Sequence, residues 1–211
     1  MENGELVAPL PDRVTPEASQ PAASERVADR LPSPQAAGEP RAMTTAQIVA
    51  HSEAVLGYCA RMVRDPVLAE DLMQKVFVEA VRDFETFQGR SSLRTWLFGI
   101  ATFRCLDALR KRQRESTRFE SNDEAVAGFE DPGLRPDGQV DKTQLLAALD
   151  SCLIRLSADV RAAVLLRFQR ELTYEEMAPL LDASAEALQM RVTRALPRLR
   201  KCLQDKGWTG E

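Results

Sequence analysis

Apolar residues recur at the three- and four-residue spacing of an α-helix in two separate blocks of this chain, residues 43–114 and 141–205. Neither block shows the strict alternation of apolar and polar residues that is typical of a half-buried strand. Between the blocks, residues 115–140 combine an excess of acidic residues with Pro- and Gly-containing turn sequences. The pattern therefore predicts an all-α protein, with two small helical domains joined by a flexible acidic linker.

The two ends of the chain differ from these blocks. Residues 1–42 contain most of the 12 prolines and no sustained apolar period. We expect them to form a disordered N-terminal extension. Residues 206–211 are expected to form a short tail after the last helix.

The first block predicts three helices, whose starts are marked by capping residues. Thr44 or Thr45 can cap a helix that runs to about Arg64. Asp65 as N-cap and Pro66 at the first helical position start the second helix. The third helix opens at Ser91 or Ser92 after a Gln-Gly turn and ends in a basic run.

Positive charge is concentrated at the end of this third helix, although the chain as a whole has a net charge of −4. Basic side chains in such a place can neutralise phosphates and give sequence-independent affinity for nucleic acid. The alternative is a solvated helix end that favours the helix dipole. We favour the phosphate interpretation because the rest of the chain is acidic. The cluster consists of Arg104, Arg110, Lys111, Arg112 and Arg114.

The second block ends in a helix-turn-helix pattern. Thr173 and Glu176 form a capping box at the start of a short helix, and Ser184 caps the last helix after a three-residue turn. Side chains near the start of such a helix reach base edges in the major groove, unless the face is merely solvated. The candidate DNA contacts are Ser184, Glu186, Gln189, Met190, Arg191, Thr193, Arg194 and Arg198.

Composition and motifs argue against several other classes of protein. The apolar runs are shorter than the ~20 residues of a membrane helix, and no signal peptide is visible, so we expect a cytoplasmic protein without membrane insertion. Phosphate-loop, metal-ligand and nucleophile–base signatures are not found, which predicts no enzymatic activity and no cofactor. Cys59, Cys105, Cys152 and Cys202 are too widely spaced to suggest a zinc site and are expected to be reduced, buried thiols. His51 is expected to be structural.

Three segments carry a more specific signal. Residues 65–77 read D-P-V-L-A-E-D-L-M-Q-K-V-F, residues 87–97 read F-Q-G-R-S-S-L-R-T-W-L, and residues 165–178 contain L-L-R-F followed by L-T-Y-E-E-M-A. In order and spacing they resemble the extracytoplasmic-function (ECF) group of the sigma-70 family of RNA polymerase sigma factors. The resemblance covers roughly residues 45–205.

The resemblance implies a role in transcription initiation, with core RNA polymerase, promoter DNA and an anti-sigma factor as partners. The second helix would bind the clamp coiled coil of the polymerase, and the C-terminal domain would lie at the flap and read the minus-thirty-five element. The turn after Phe87 and the third helix would recognise and open the minus-ten element. The implied polymerase contacts are Asp71, Gln74, Lys75 and Phe77. The implied minus-ten contacts are Gln88, Gly89, Arg90, Ser91, Ser92, Arg94 and Phe103, with the basic cluster.

Several residues depart from the family pattern. Lys75 stands where an acidic residue is usual, and Phe103 stands where an Asn is common. Pro179 and Pro197 lie inside the two helices of the helix-turn-helix, where each removes a backbone hydrogen bond. We predict a kink just before Pro197, or an early end to the last helix. Asp182 replaces the usual turn glycine and tolerates the left-handed conformation less freely.

These departures leave three hypotheses open. The first is a working alternative sigma factor that initiates transcription from specific promoters. The second is a sigma-like decoy or regulator that binds an anti-sigma factor or polymerase without initiating transcription. The third is an ordinary helix-turn-helix regulator, which leaves the motifs of the first domain unexplained and ranks last.

Overall fold

The computed structural model describes residues 45–84, 87, 91–119 and 142–208, and every regular element in these ranges is an α-helix. This confirms the predicted all-α class. The predicted N-terminal extension and most of the predicted linker lie outside the described residues. The helices are α1 (Thr45–Val49), α2 (Ser52–Val63), α3 (Pro66–Arg82), α4 (Leu93–Phe119), α5 (Lys142–Leu153), α6 (Ala158–Gln169), α7 (Tyr174–Leu181) and α8 (Ala185–Gln204).

The predicted first helix is divided in two. The chain leaves helical geometry between α1 and α2, where the His51 N–H is bonded to the carbonyl of Ile48 at 3.1 Å. Ile48, in α1 just before the break, is buried in the core. The prediction of one continuous helix up to Arg64 is therefore wrong at this point. Arg64 itself ends α2 in the left-handed conformation, with φ of 56°.

The predicted starts of the next two helices are confirmed. The Asp65 carboxylate accepts a hydrogen bond from the Leu68 N–H at 3.1 Å, and Pro66 is the first residue of α3. Ser92 Oγ accepts a hydrogen bond from the Thr95 N–H at 3.0 Å at the start of α4. Both caps satisfy backbone donors that the first turn of a helix leaves without partners.

Helix α4 is longer than predicted. It runs to Phe119, whereas the linker was expected to begin at residue 115. Lys111 and Glu115 face each other one turn apart, with 3.9 Å between Nζ and Oε1. Such an i,i+4 pair favours helix across the expected boundary. The linker prediction is wrong for residues 115–119.

Helices α2, α3 and α4 share a core that contains the largest buried side chains of the first domain. Tyr58 and Phe98 meet edge to face, with ring centroids 5.5 Å apart. The Tyr58 hydroxyl lies 2.8 Å from Thr102 Oγ1, and Thr102 donates its own proton to the Phe98 carbonyl at 2.6 Å. Tyr58 is therefore the donor to Thr102, and both polar groups are satisfied inside the core.

In the second domain, the helix-turn-helix forms as predicted. Thr173 and Glu176 make the capping box of α7, and Ser184 Oγ accepts from the Ala187 N–H at 3.2 Å at the start of α8. Asp182 adopts the left-handed conformation with φ of 52°, which allows the tight turn without glycine.

The early end predicted for α8 at Pro197 is wrong, and the alternative, a kink just before Pro197, stays a prediction. The helix continues to Gln204, although a proline inside a helix removes one backbone hydrogen bond. Leu199 and Cys202 are buried beyond the proline and hold the last turns against the domain. Cys202 also forms a disulfide with Cys152 of α5, so the expectation of four reduced thiols is wrong for this pair. The two residues are 50 positions apart and meet only through helix packing.

The two domains lie against each other in this structure. Asp150 of α5 accepts from Arg61 Nε at 3.2 Å and lies 3.9 Å from Arg64 Nη1. The Arg170 guanidinium lies 4.6 Å from the centre of the Phe98 ring. Charged contacts and one cation–π contact thus connect α2 and α4 with the second domain.

Candidate polymerase and nucleic-acid interfaces

One exposed face of α3 carries three of the four predicted polymerase contacts. Asp71, Gln74 and Lys75 share this face, and Lys75 Nζ lies 2.6 Å from Asp71 Oδ2. Phe77 is different, because its ring is partly buried against the core. Lys75, which stands where the family usually has an acidic residue, is therefore paired with Asp71 of the same helix.

Apolar residues on the same side of α3 were not predicted as contacts. Val67 is 77% exposed and Val78 is 69% exposed, and they flank the polar residues at helical spacing. Val81 is also exposed, one turn further along. Large apolar side chains that face solvent together are typical of protein-binding surfaces. The sequence signal was the spacing 67, 71, 74 and 78, which places valines in line with Asp71 and Gln74.

The predicted minus-ten turn is only partly described. Gln88, Gly89 and Arg90 lie outside the described residues. Ser91 Oγ donates to the Ser92 carbonyl at 3.2 Å, beside the start of α4. Phe87, which precedes the turn, contacts the fully buried Trp96, with ring centres 5.0 Å apart. Trp96 therefore lies in the core of the first domain.

Arg104 and Phe103 occupy the middle of α4. Arg104 bonds to Glu79 of α3 through Nε at 2.8 Å and Nη2 at 2.6 Å. The Glu79 side chain is only 3% exposed, so this charged pair is largely withdrawn from water. Phe103 is partly buried against the same core. These two side chains connect helices, in contrast to the exposed basic residues further along α4.

The end of α4 presents four exposed basic residues, and three of them have partners. Arg112 Nη2 lies 3.3 Å from Asp65 Oδ2, beside the start of α3. Arg110 Nη2 lies 3.5 Å from Asp159 Oδ1 of the second domain. Both arginine side chains remain more than half exposed. Ion pairs between exposed side chains are weak, so each arginine could leave its carboxylate partner and bind a phosphate instead. The four residues are Arg110, Lys111, Arg112 and Arg114.

Arg94 lies at the first turn of α4, next to the second domain. Its Nη2 donates a hydrogen bond to the backbone carbonyl of Arg170 at 2.8 Å. In this arrangement, one guanidinium N–H group of Arg94, a predicted minus-ten contact, is therefore bonded to the second domain.

Helix α8 turns one face to its own domain and the other to solvent. Leu188, Val192 and Ala195 are buried, at the spacing that the sequence predicted. All eight predicted DNA contacts, Ser184 among them, are partly or fully exposed on the opposite side or at the N-cap. A hydrogen bond from its own backbone N–H and one with Ser184 lower the pKa of Glu186. Its carboxylate is ionised at neutral pH, as an exposed glutamate normally is, and can only accept hydrogen bonds.

Two family models cover most of this helical framework. Residues 48–115 match Sigma-70 region 2, and residues 146–199 match Sigma-70, region 4. The ECF RNA polymerase sigma factor SigX of Bacillus subtilis (strain 168) is 34% identical over 148 residues, which are 68% of this chain and 74% of SigX. The chain belongs to the ECF group of the sigma-70 family. It is an alternative sigma factor, a regulatory protein that directs transcription.

Further relatives agree with this membership. The RNA polymerase sigma factor CarQ of Myxococcus xanthus is 33% identical over 159 residues, covering 72% of this ECF sigma factor and 84% of CarQ. The sigma factor RpoE of Bartonella quintana, solved in complex with the anti-sigma factor NepR, has a TM-score of 0.60 at 27% identity, covering 75% and 95% of the two chains.

A second solved structure supports the fold alone. CnrH, in complex with the cytosolic domain of CnrY, has a TM-score of 0.54 at 23% identity and covers 87% and 96% of the two chains. Within the described part of this ECF sigma factor, no helix is both long and apolar enough to cross a membrane.

Proposed function

We propose that this sigma factor binds core RNA polymerase through the exposed face of α3 and reads promoter DNA with two separate surfaces. The turn before α4 and the basic end of α4 contact the minus-ten region. The exposed face of α8 reads the minus-thirty-five element. The protein acts in the cytoplasm as a specificity subunit and has no enzymatic activity of its own.

The observation that carries this proposal is the division of α8 into a buried and an exposed face. Leu188, Val192, Ala195 and Leu199 fix the helix against its domain. The opposite face leaves amide, guanidinium and carboxylate groups in solvent within the first turns, where a recognition helix meets base edges. Met190, which is 51% exposed, adds an apolar group suited to the methyl of thymine.

The contact between the domains favours an inhibitory partner. With Arg94 bonded to the second domain and Arg110 beside Asp159, the two DNA-binding surfaces cannot take independent positions on a promoter. A partner that holds this arrangement would keep the sigma factor inactive. We propose an anti-sigma factor in that role, since the related RpoE was solved in complex with one.

The test is transcription in vitro. Core RNA polymerase would be mixed with fragmented genomic DNA of the source, with and without the full-length protein, and the RNA 5′ ends would be sequenced. New start sites that share an upstream motif are expected. A variant with Gln189→Ala and Arg194→Ala should lose starts that depend on the minus-thirty-five element. Arg155→Ala, a change of an exposed arginine between α5 and α6 and outside the three proposed surfaces, should keep them.

The decoy hypothesis predicts a different result in the same experiment. Lys75, paired with Asp71 on the proposed polymerase face, is the observation that favours it. If the protein binds core polymerase in the same sample but produces no new start sites, the decoy explains the outcome better. If it does not bind core polymerase, the proposed role of α3 is wrong.

A further inference from the structure

Cys152 and Cys202 come together where α5 packs against α8. Their Cα atoms are 5.8 Å apart, and the sulfur atoms are bonded. Two further cysteines, Cys59 and Cys105, are free and buried in the first domain. The bonded pair is not used by either proposed DNA surface or by the proposed polymerase surface.

The two cysteine residues of the pair are both buried but differ in exposure. Cys202 is 8% exposed, whereas Cys152 is 1% exposed. Arg198 precedes Cys202 by one helical turn, and a nearby cation favours a reactive thiolate. Burial gives Cys59 and Cys105 no such access, and a hydrogen bond with Cys59, together with burial, raises the pKa of Cys105 well above its ordinary value. Cys202 is therefore the sulfur that a small oxidant reaches first.

We propose that Cys152 and Cys202 form a thiol-oxidation site for low-molecular-weight disulfides of the glutathione type. The Cys202 thiolate attacks one sulfur of the small disulfide, which releases one small thiolate and leaves a mixed disulfide on the protein. The Cys152 thiolate then displaces the second small thiolate and forms the intramolecular bond. Two cysteine protons and two electrons leave with two small thiols, and an excess of those thiols reverses the reaction.

The disulfide lies just beyond the turn of α8 that contains Pro197. Pro197 lacks an N–H, so the turn around it has one backbone bond fewer than a regular helix. The disulfide ties the helix to α5 beyond this point. A cross-link between residues 50 positions apart also restricts the unfolded chain, which stabilises the folded domain. In a reducing compartment the pair is held as thiols, so oxidation would mark a change in redox conditions.

The site can be tested on the full-length protein without DNA or polymerase. Reduced protein would be equilibrated with defined ratios of glutathione and glutathione disulfide, acid-quenched, alkylated with N-ethylmaleimide and analysed by intact mass and peptide mapping. The expected product has lost two hydrogens and two alkylation sites, and its linked peptides contain Cys152 and Cys202. The midpoint of thermal unfolding should rise on the order of 10 °C upon oxidation.

Cysteine variants separate this site from general thiol oxidation. The double variant Cys59→Ala/Cys105→Ala should form the bond as the unmodified chain does. Cys152→Ala should stop at a mixed disulfide on Cys202. Should either variant fail to fold, reduction of the unmodified protein with a phosphine supplies the same comparison of midpoints. Linkage to Cys59 or Cys105, mixed disulfides that persist in the unmodified chain, or an unchanged midpoint after reduction would each overturn the proposal. Because none of these measurements involves a promoter, their outcome is independent of the proposed DNA surfaces.

Discussion

Arg94 Nη2 and the backbone carbonyl of Arg170, 76 residues apart in sequence, are joined by a hydrogen bond of 2.8 Å between the two domains. The Arg170 guanidinium in turn covers the Phe98 ring of the same helix α4. A residue proposed to contact the minus-ten element is therefore part of the contact that holds the second domain. Under the proposed function, promoter binding and the domain contact would compete for the Arg94 side chain.

The first prediction concerns Asp150, the carboxylate that faces Arg61 and Arg64 across the domain contact. Asp150→Ala removes the attraction and leaves two arginines close together, so we expect the domains to separate. Small-angle X-ray scattering of the full-length protein should show a larger radius of gyration than for the unmodified chain. Asp205→Ala, a change of an exposed aspartate after α8, is the matched control. An unchanged radius for Asp150→Ala would contradict the role of this residue.

The second prediction concerns the basic end of α4. Replacement of Arg110, Lys111 and Arg112 by Ala should weaken binding of the polymerase–sigma complex to promoter DNA. It should also reduce the slope of log K against log salt by roughly 0.9 for each phosphate that these side chains neutralise. Titrations at several salt concentrations measure the slope, and Arg155→Ala, an exposed arginine outside the proposed surfaces, should leave it unchanged. An equal slope in the triple variant would show that these residues do not bind phosphate.

The third prediction concerns the buried pair of Arg104 and Glu79. Arg104→Met leaves the Glu79 carboxylate without its guanidinium in a site that is 3% exposed, so unfolding free energy should fall by about 3 kcal/mol. Glu79→Gln combined with Arg104→Met should recover part of the loss, because no charge remains buried. Urea unfolding of the three proteins measures both values. A loss below about 0.5 kcal/mol would indicate that Arg104 is available to other partners.

Local features of the fold could be predicted from sequence because their causes are local. Four helices are capped by a side chain that accepts a hydrogen bond from the backbone N–H group three residues further on, and such a cap can be predicted from the residue types alone. The capping residues are Asp65, Ser92, Thr173 and Ser184. The break between α1 and α2 was missed because no Gly or Pro marks it in the sequence and no side-chain cap forms at His51. The recognition helix continues past Pro197 because packing of Leu199 and Cys202 outweighs the absence of one backbone bond.

The candidate site was predicted less completely than the fold. The exposed face of α8 follows from helical spacing alone. The partners of Arg104 and Arg94 are 25 and 76 residues away, in other parts of the fold, and no spacing rule connects them. The same holds for Cys152 and Cys202, whose pairing depends on how α5 and α8 pack.

The fourth prediction concerns Tyr58 and alkaline pH. Burial raises the pKa of Tyr58 well above its ordinary value, so the folded protein keeps a proton that the unfolded chain loses near pH 10. This contribution to stability is complete below about pH 10 and is lost as pH rises further. Tyr58→Phe should cost about 1 kcal/mol at pH 7 because the hydrogen bond to Thr102 is removed. It should lose less further stability than the unmodified chain between pH 9 and 11.

Urea unfolding across this pH range measures the difference. Tyr174→Phe, a change of a partly exposed tyrosine at the start of α7, should retain the alkaline loss of the unmodified protein. If Tyr58→Phe and the unmodified chain lose stability in parallel, ionisation of Tyr58 does not contribute.

The fifth prediction concerns Arg161 of α6, which is 4% exposed at the domain contact. Its Nε and Nη1 have no hydrogen-bond partner, and burial lowers the pKa of this guanidinium. A buried charge with unsatisfied donors opposes the packing around it. Arg161→Met keeps an unbranched apolar stem and removes the charge, so we expect a gain of roughly 1–3 kcal/mol in unfolding free energy.

Arg167 of the same helix provides the matched control. Its Nη1 donates to the Leu172 carbonyl at 3.2 Å, and its guanidinium lies 5.4 Å from the centre of the Tyr174 ring. Arg167→Met removes satisfied contacts and should lower stability, in the opposite direction to Arg161→Met. If both variants lose stability by the same amount, Arg161 is satisfied in solution and does not oppose the contact. A third outcome is that Arg161→Met stabilises the protein and also reduces promoter binding. In that case the buried arginine weakens the contact between the domains, and this allows them to separate when they bind DNA.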